Sequence, residues 1–242
     1  LRFDRAVVSV LRWALFGTGP FATNGAAGHV FIRTLPGLDR PDMQLTCIAA
    51  EMSARNVWFP LIRKRAAHII GVGVSMIRQD SRGLVQLRSA NPLDPPRILF
   101  NLFQERSDME RMIRGIRAAR RIYGQQPLRH LVGDELEPGR HVESDADLEQ
   151  FVRRVGAITQ HPVGTCSMGS DVERFAVVDA ELRVRGARGL RVIDASVMPN
   201  VPAGNTNAPT IMIAEKGADI LRERRLAPAA LPALPAAARS VP

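Results

Sequence analysis

The sequence predicts a mixed α-β (α+β) fold: an antiparallel sheet with flanking helices, followed by the closing segment of an α/β unit. Three stretches carry that prediction. Residues 71–77 and 84–87 read as strands, separated by the polar turn Arg78-Gln79-Asp80-Ser81-Arg82-Gly83, whose glycine can take positive φ. Ser107-Asp108-Met109-Glu110 reads as a capping box opening the clearest helix, with the hydroxyl and the Glu110 carboxylate satisfying free amides. Residues 190–199 read as a strand, a tight polar turn and the approach to a last helix.

In chain order, residues 1–17 form a helix, because Phe3, Ala6, Val7, Val10, Leu11 and Leu15 fall near a 3.6-residue period. Gly17, Gly19 and Pro20 end it. Residues 21–40 read as loop with a short apolar piece at 29–32, and 43–49 as a strand. Asn91-Pro92-Leu93-Asp94-Pro95-Pro96 excludes regular structure, since proline removes a donor and restricts the residue before it. The helix from Ser107 carries Met109, Met112, Ile113, Ile116 and Tyr123 on one stripe and arginines over the rest, the pattern of a solvated helix lying on a core. A second helix starts at Ser144 and runs to about Arg154. Short strands follow at 177–178, 182–184 and 190–193, and a final helix follows Pro209, with Ile213, Ala214, Gly217 and Leu221 on its apolar side. The tail is rich in Ala and Pro and is expected to be disordered.

Composition narrows the class. With 45% apolar and 24% charged residues, the 242-residue chain has an ordinary globular balance. Cys47 and Cys166 are too few for a disulfide framework. No apolar run approaches the ~20 residues of a membrane span, so the expected compartment is the cytoplasm. The net charge of +9 is almost all arginine, spread along the chain, and only 5% of residues are aromatic. Stacking platforms for bases need aromatics among the charges, so nucleic acid is not an expected partner. His29, His68, His130 and His141 show no ligand spacing, and no metal site is expected. Leu1 is not a methionine, so the chain reads as starting inside a longer protein.

The chemistry concentrates in two stretches. Gln160-His161-Pro162-Val163-Gly164-Thr165-Cys166-Ser167-Met168-Gly169 puts a histidine at the mouth of a Gly/Thr/Ser turn. Leu190-Arg191-Val192-Ile193-Asp194-Ala195-Ser196-Val197-Met198-Pro199 runs on to Gly204-Asn205-Thr206-Asn207-Ala208-Pro209-Thr210. A histidine base facing a helix N-terminus with an amide side chain makes a catalytic floor. Cys166 reads as a small buried residue rather than a nucleophile.

Together, in this order, the two stretches resemble the C-terminal half of the glucose–methanol–choline (GMC) family of flavin-dependent alcohol oxidoreductases. His161 opens the family's H-x-x-G-T-x-x-M pattern, matched here by Gly164, Thr165 and Met168. The Asn-Thr-Asn-Ala-Pro-Thr segment looks more like choline-dehydrogenase-type members, although those often carry Lys where Ser167 stands. Residues 81–92 look like the family's substrate-domain hairpin, and Gly19-Pro20 with Asn24 like its entry loop.

What the resemblance implies is specific. His161 would be the base and Asn207 the second active-site residue. Asp194 and Ala195 would meet the diphosphate and ribityl region of FAD, and Asn207, Ala208 and Pro209 the pyrimidine edge of its ring. Residues 1–158 would be mostly substrate-binding domain, 159–224 the C-terminal part of the FAD domain, and 225–242 a disordered tail. The substrate would be a small-molecule alcohol. A G-x-G-x-x-G loop after a strand does not occur in the chain; in the family it belongs to the N-terminal half. Two other readings stand beside this one: a non-redox lyase on the same frame, and an inactive truncated fragment unable to bind FAD by itself.

Overall fold

The computed structural model describes residues 3–23, 25–48, 69–126 and 128–224. Asn24, the end of the strand expected at 43–49 and the tail expected to be disordered lie outside the described residues, apart from the strand's first six positions. Eleven elements follow in order among the described residues: helix α1 (Phe3–Phe16), a 3-10 turn, strands β1 (Ala26–Ile32), β2 (Met43–Ile48), β3 (Gly71–Met76), β4 (Leu84–Gln86) and β5 (Arg97–Leu99), helices α2 (Arg106–Tyr123) and α3 (Asp145–Val155), a second 3-10 turn (Ala195–Val197) and helix α4 (Asn207–Leu221).

The antiparallel sheet β1-β2-β3 is the frame. In β2, Met43, Leu45 and Cys47 alternate with Gln44, Thr46 and Ile48, and alternation puts the two sets on opposite faces. Register extends each set across the sheet: Thr46 stands opposite His29 and Gly73, and Gln44 opposite Phe31 and Ser75. Met43 and Leu45 are buried on the face that α2 covers. Gly115 permits that close approach, since a methyl there would collide with the Met43 and Val74 side chains. The opposite face, carrying His29, Gln44, Thr46 and Ser75, stays open. β1 replaces part of the loop expected at 21–40; Ala26-Ala27-Gly28 has little strand propensity of its own, and pairing with β2 recruits it across a register shift.

Met109, Ile113 and Ile116 of α2 pack with Leu148 and Val152 of α3 in one core. Ser144 caps α3 as expected, its hydroxyl accepting from the Asp147 amide at 3.1 Å. The capping box at Ser107 does not form. Glu105 holds the cap position without a side-chain bond. Ser107 Oγ instead donates to Asp80 at 2.7 Å, and Glu110 pairs with Arg106. Asp108, fully buried, accepts from the Asp80 amide at 2.9 Å, the Ser81 amide at 2.8 Å and Arg111 at 2.8 Å. The Ser107 hydroxyl, with Arg111 behind it and against the effect of burial, holds the Asp80 carboxyl below the usual carboxylate range. Nor is the arginine face of α2 merely solvated: Arg120 chelates Glu135 and reaches the Val142 and Gly139 carbonyls, and Arg106 bridges to Glu149 on α3.

The strands expected at 71–77 and 84–87 both form, in separate sheets. β3 pairs with β2, whereas β4 pairs with β5. Gly83 does not take positive φ; a methyl there would meet the Leu99 carbonyl, so glycine lets the hairpin close. The short strands expected at 177–178, 182–184 and 190–193 reduce to isolated bridges, Met168 with Val178, Val178 with Val184 and Arg183 with Arg191. Left-handed turns at Gly186 and Gly189 leave too little extended chain between them for ladders. These segments still bury Val178, Leu182, Val197 and Met198 against Ile213 of α4 in a second core. Ala214 and Leu221 of α4 face solvent; Ile213 and Gly217 carry its contact instead. The apolar stripe of α1 is open, with Leu15 71% and Phe16 73% exposed.

Candidate active site

Two backbone bonds hang the histidine loop on the second 3-10 turn: Cys166 N–H to Ser196 O (3.1 Å) and Met168 N–H to Val197 O (2.8 Å). Gly164, at φ 90°, turns the loop against the Met198 carbonyl. Asp194 caps the 3-10 turn by accepting from the Ser196 amide at 2.7 Å and from its hydroxyl. This anchoring brings His161 to the start of α4, where its Nδ1 lies 2.9 Å from Oγ1 of Thr206, a buried residue. The Thr206 amide also donates to the same nitrogen, over a longer 3.5 Å.

Helix α4 starts at Asn207, two residues before the expected Pro209, which still falls in the first turn where a missing N–H costs nothing. Thr206 is the cap residue, yet its side chain makes no capping bond. The first amides of a helix have no intrahelical acceptor, so α4 presents open donors beside Asn207 and Ala208, both exposed. Asp194 is exposed as well, Ala195 is half-buried against the second core, and Pro209 is half-buried. The free thiol of Cys166 is half-buried.

His161 lines a cavity of about 320 Å³ between the open sheet face and the loops around 159–161 and 201–205. His29, Gln44, Thr46, Ser75 and Gln79 line it from the sheet side. Asn205 and Gly204 line it from the α4 side, and Asn207 does not. The volume is at the small end of ligand pockets. Thr206 and the polar sheet face were not anticipated from the sequence. The alternation in β2 carried the second signal; nothing local marks Thr206. Among the described residues no group of three His, Cys, Asp or Glu is placed to hold a metal ion, and no helix is long and apolar enough to cross a membrane.

The histidine loop is thus docked at a helix start above a sheet-floored cavity. The family model of the GMC oxidoreductase C-terminal region matches residues 79–214, more than half of the chain, and the chain belongs to the GMC oxidoreductase family. Mitochondrial choline dehydrogenase of Mus musculus is 40% identical over 221 residues, covering 90% of this chain and 36% of that protein. Oxygen-dependent choline dehydrogenase 1 of Chromohalobacter salexigens is 41% identical over 214 residues, covering 88% and 37%. The chain thus spans little more than a third of the curated relatives it matches. Among solved structures, pyridoxine 4-oxidase from Mesorbium loti superposes with a TM-score of 0.70 at 28% identity, covering 84% of this chain and 39% of that one. Aspergillus oryzae formate oxidase reaches 0.79 at 24% identity, covering 90% and 42%, a likeness of fold. The mixed α-β class and the family expected from the sequence are both shown.

Proposed function

We propose that this chain is the C-terminal part of an FAD-dependent oxidoreductase that oxidises the CH–OH group of an alcohol to a carbonyl, with His161 as general base. The observation that carries the reading is His161 itself: it lines the cavity, and a buried hydroxyl 2.9 Å from Nδ1 orients its ring. The open amides at the start of α4, beside Asn207, Ala208 and Pro209, fit an electron-rich, anionic group such as FAD, and Asp194 and Ala195 at the 3-10 turn are assigned to its diphosphate and ribityl side. When bound, FAD supplies the hydride acceptor that no side chain provides.

The chain's own residues do the rest. In the tautomer of His161 that acts as base, Nδ1 carries the hydrogen toward Thr206 Oγ1 and Nε2 presents its lone pair to the alcohol. Nε2 takes the hydroxyl proton as the C–H hydride departs, and the carbonyl forms. Asn207, expected as the second active-site residue, does not line this cavity, and its exposed amide is assigned to the cofactor side. Residues 1–158 are assigned mostly to the substrate side and 159–224 to the cofactor side.

The test is His161→Ala in the flavin-loaded holoenzyme. Turnover at saturating alcohol is expected to fall by roughly 10²–10⁴, the worth of a positioned base, with flavin content unchanged. Native turnover in this variant removes His161 from the mechanism.

A further inference from the structure

The open face of the sheet carries a polar cluster that proton transfer at His161 does not use. His29 and Thr46 stand opposite each other in the β1–β2 register, with Gln44 two residues along on the same face. Gln44 Nε2 lies 3.0 Å from His29 Nδ1 and 3.3 Å from Thr46 Oγ1, and Thr46 Oγ1 lies 3.2 Å from that same ring nitrogen. An amide nitrogen can only donate. His29 Nδ1 is therefore the acceptor, and the neutral ring carries its hydrogen on Nε2. Gln44 is buried, only 5% exposed, and fixes this arrangement from beside it on the same face.

His29, Gln44 and Thr46 line the same cavity as His161, joined there by Ser75 and Gln79. All five are hydrogen-bonding groups, and a histidine with Nδ1 already engaged has one donor left to offer. We propose that the His29–Gln44–Thr46 cluster is a subsite that hydrogen-bonds a second oxygen of the substrate. The preferred substrates are then small neutral diols and polyols. The inference rests on this cavity being the alcohol site of the proposed oxidation. The selectivity follows from pairing: Gln44 and Thr46 are already bonded within the cluster, and a second oxygen on the ligand gives the exposed His29 ring N–H a partner that an alkyl chain cannot. An alkyl chain or a quaternary ammonium offers no acceptor to the ring N–H.

The test is binding to the holoenzyme after its flavin has been chemically reduced, so that no turnover intervenes. Glycerol, propan-1-ol and choline are titrated by calorimetry. Glycerol is expected to bind at least about tenfold more tightly than propan-1-ol, the scale of one or two hydrogen bonds. His29→Phe and Thr46→Val should each remove that preference and leave propan-1-ol binding nearly unchanged. Thr46→Val keeps the local shape and decides the matter if His29→Phe fails to load flavin. Equal binding of glycerol and propan-1-ol, tighter binding of choline, or a preference surviving in the variants overturns the subsite. Selective binding combined with no reduction of oxidised flavin by any alcohol leaves the subsite standing and sinks the oxidation reading instead.

Discussion

Thr206 acts on the reaction only through His161, and that makes it the sharpest test of the site. Thr206→Val keeps the side-chain outline and deletes one hydroxyl, the group 2.9 Å from His161 Nδ1. The backbone role of Thr206 survives, since its carbonyl still accepts from the Thr210 amide at 3.0 Å. What is lost is the hydroxyl partner of Nδ1 that holds the ring in place. One neutral hydrogen bond contributes about 0.5–1.5 kcal/mol, so the limiting rate of flavin reduction should fall roughly 2- to 12-fold. KM should hold, because the hydroxyl is turned to the histidine. Thr206→Ser restores the hydroxyl and should restore most of the rate. The assay is anaerobic stopped-flow reduction of the bound flavin across a range of alcohol concentrations. An unchanged rate in Thr206→Val refutes the positioning role. So does a Thr206→Ser variant as slow as Thr206→Val, which would mean that packing of the methyl matters and the hydroxyl does not.

Three further outcomes follow from the fold. Asp108→Ala leaves the Asp80 and Ser81 amides without their acceptor, while Arg111 keeps Asp80, Asp42 and the Arg78 carbonyl; each stranded donor costs about 1–3 kcal/mol, to be read from denaturant midpoints. Gly83→Ala should lose about 1–3 kcal/mol by overpacking against the Leu99 carbonyl; a neutral result would show that the β4–β5 hairpin closes without the close approach. Tyr123, the chain's single tyrosine, has its phenol pushed up to about 12 by burial and then by its contact with Cys47. Its neutral form is the one the fold favours, so its contribution is complete below the ordinary value near 10 and is lost as pH rises from there to about 12. Phenolate absorbance, measured as the difference from Tyr123→Phe, should show that late midpoint, and a midpoint near 10 contradicts it.

Local signals were legible and non-local ones were not. Helix α3 could be read outright because its cap, Ser144, and the amide it serves, Asp147, are three residues apart. The same kind of motif misled at Ser107, where partners 27 residues away in the loop holding Asp80 and Ser81 took both the hydroxyl and the neighbouring carboxylate. A buried Asp108 bound to two loop amides outcompetes a solvent-exposed cap. β1 was hidden by Ala and Gly, which pair only because β2 is there. His161 was visible through its motif, whereas Thr206, 45 residues on, sits between two asparagines and looks like one more turn residue. Gln44 and Thr46 were visible in principle, through the two-residue alternation of β2, but only the register with β1 shows that they meet His29.

The cavity's two walls are built by different means, and this decides where substitutions should be felt. The sheet wall is pinned from behind by α2, through Met43 packed under Gly115 and through the Arg111–Asp108 clamp on the loop that carries Gln79. The histidine wall hangs on main-chain bonds to the 3-10 turn at Ala195–Val197, and through that turn on the second core. Among the described residues a polar side-chain contact joins them, Arg82 donating to Asn200 at 2.7 Å, and it is exposed. Exposed contacts of this kind contribute little, so the spacing between the walls is set by the two cores rather than by the tie. A volume change in either core, at Ile113 or at Val197, should therefore alter the fit of substrate against His161 more than loss of Arg82 does, although neither core residue lines the cavity.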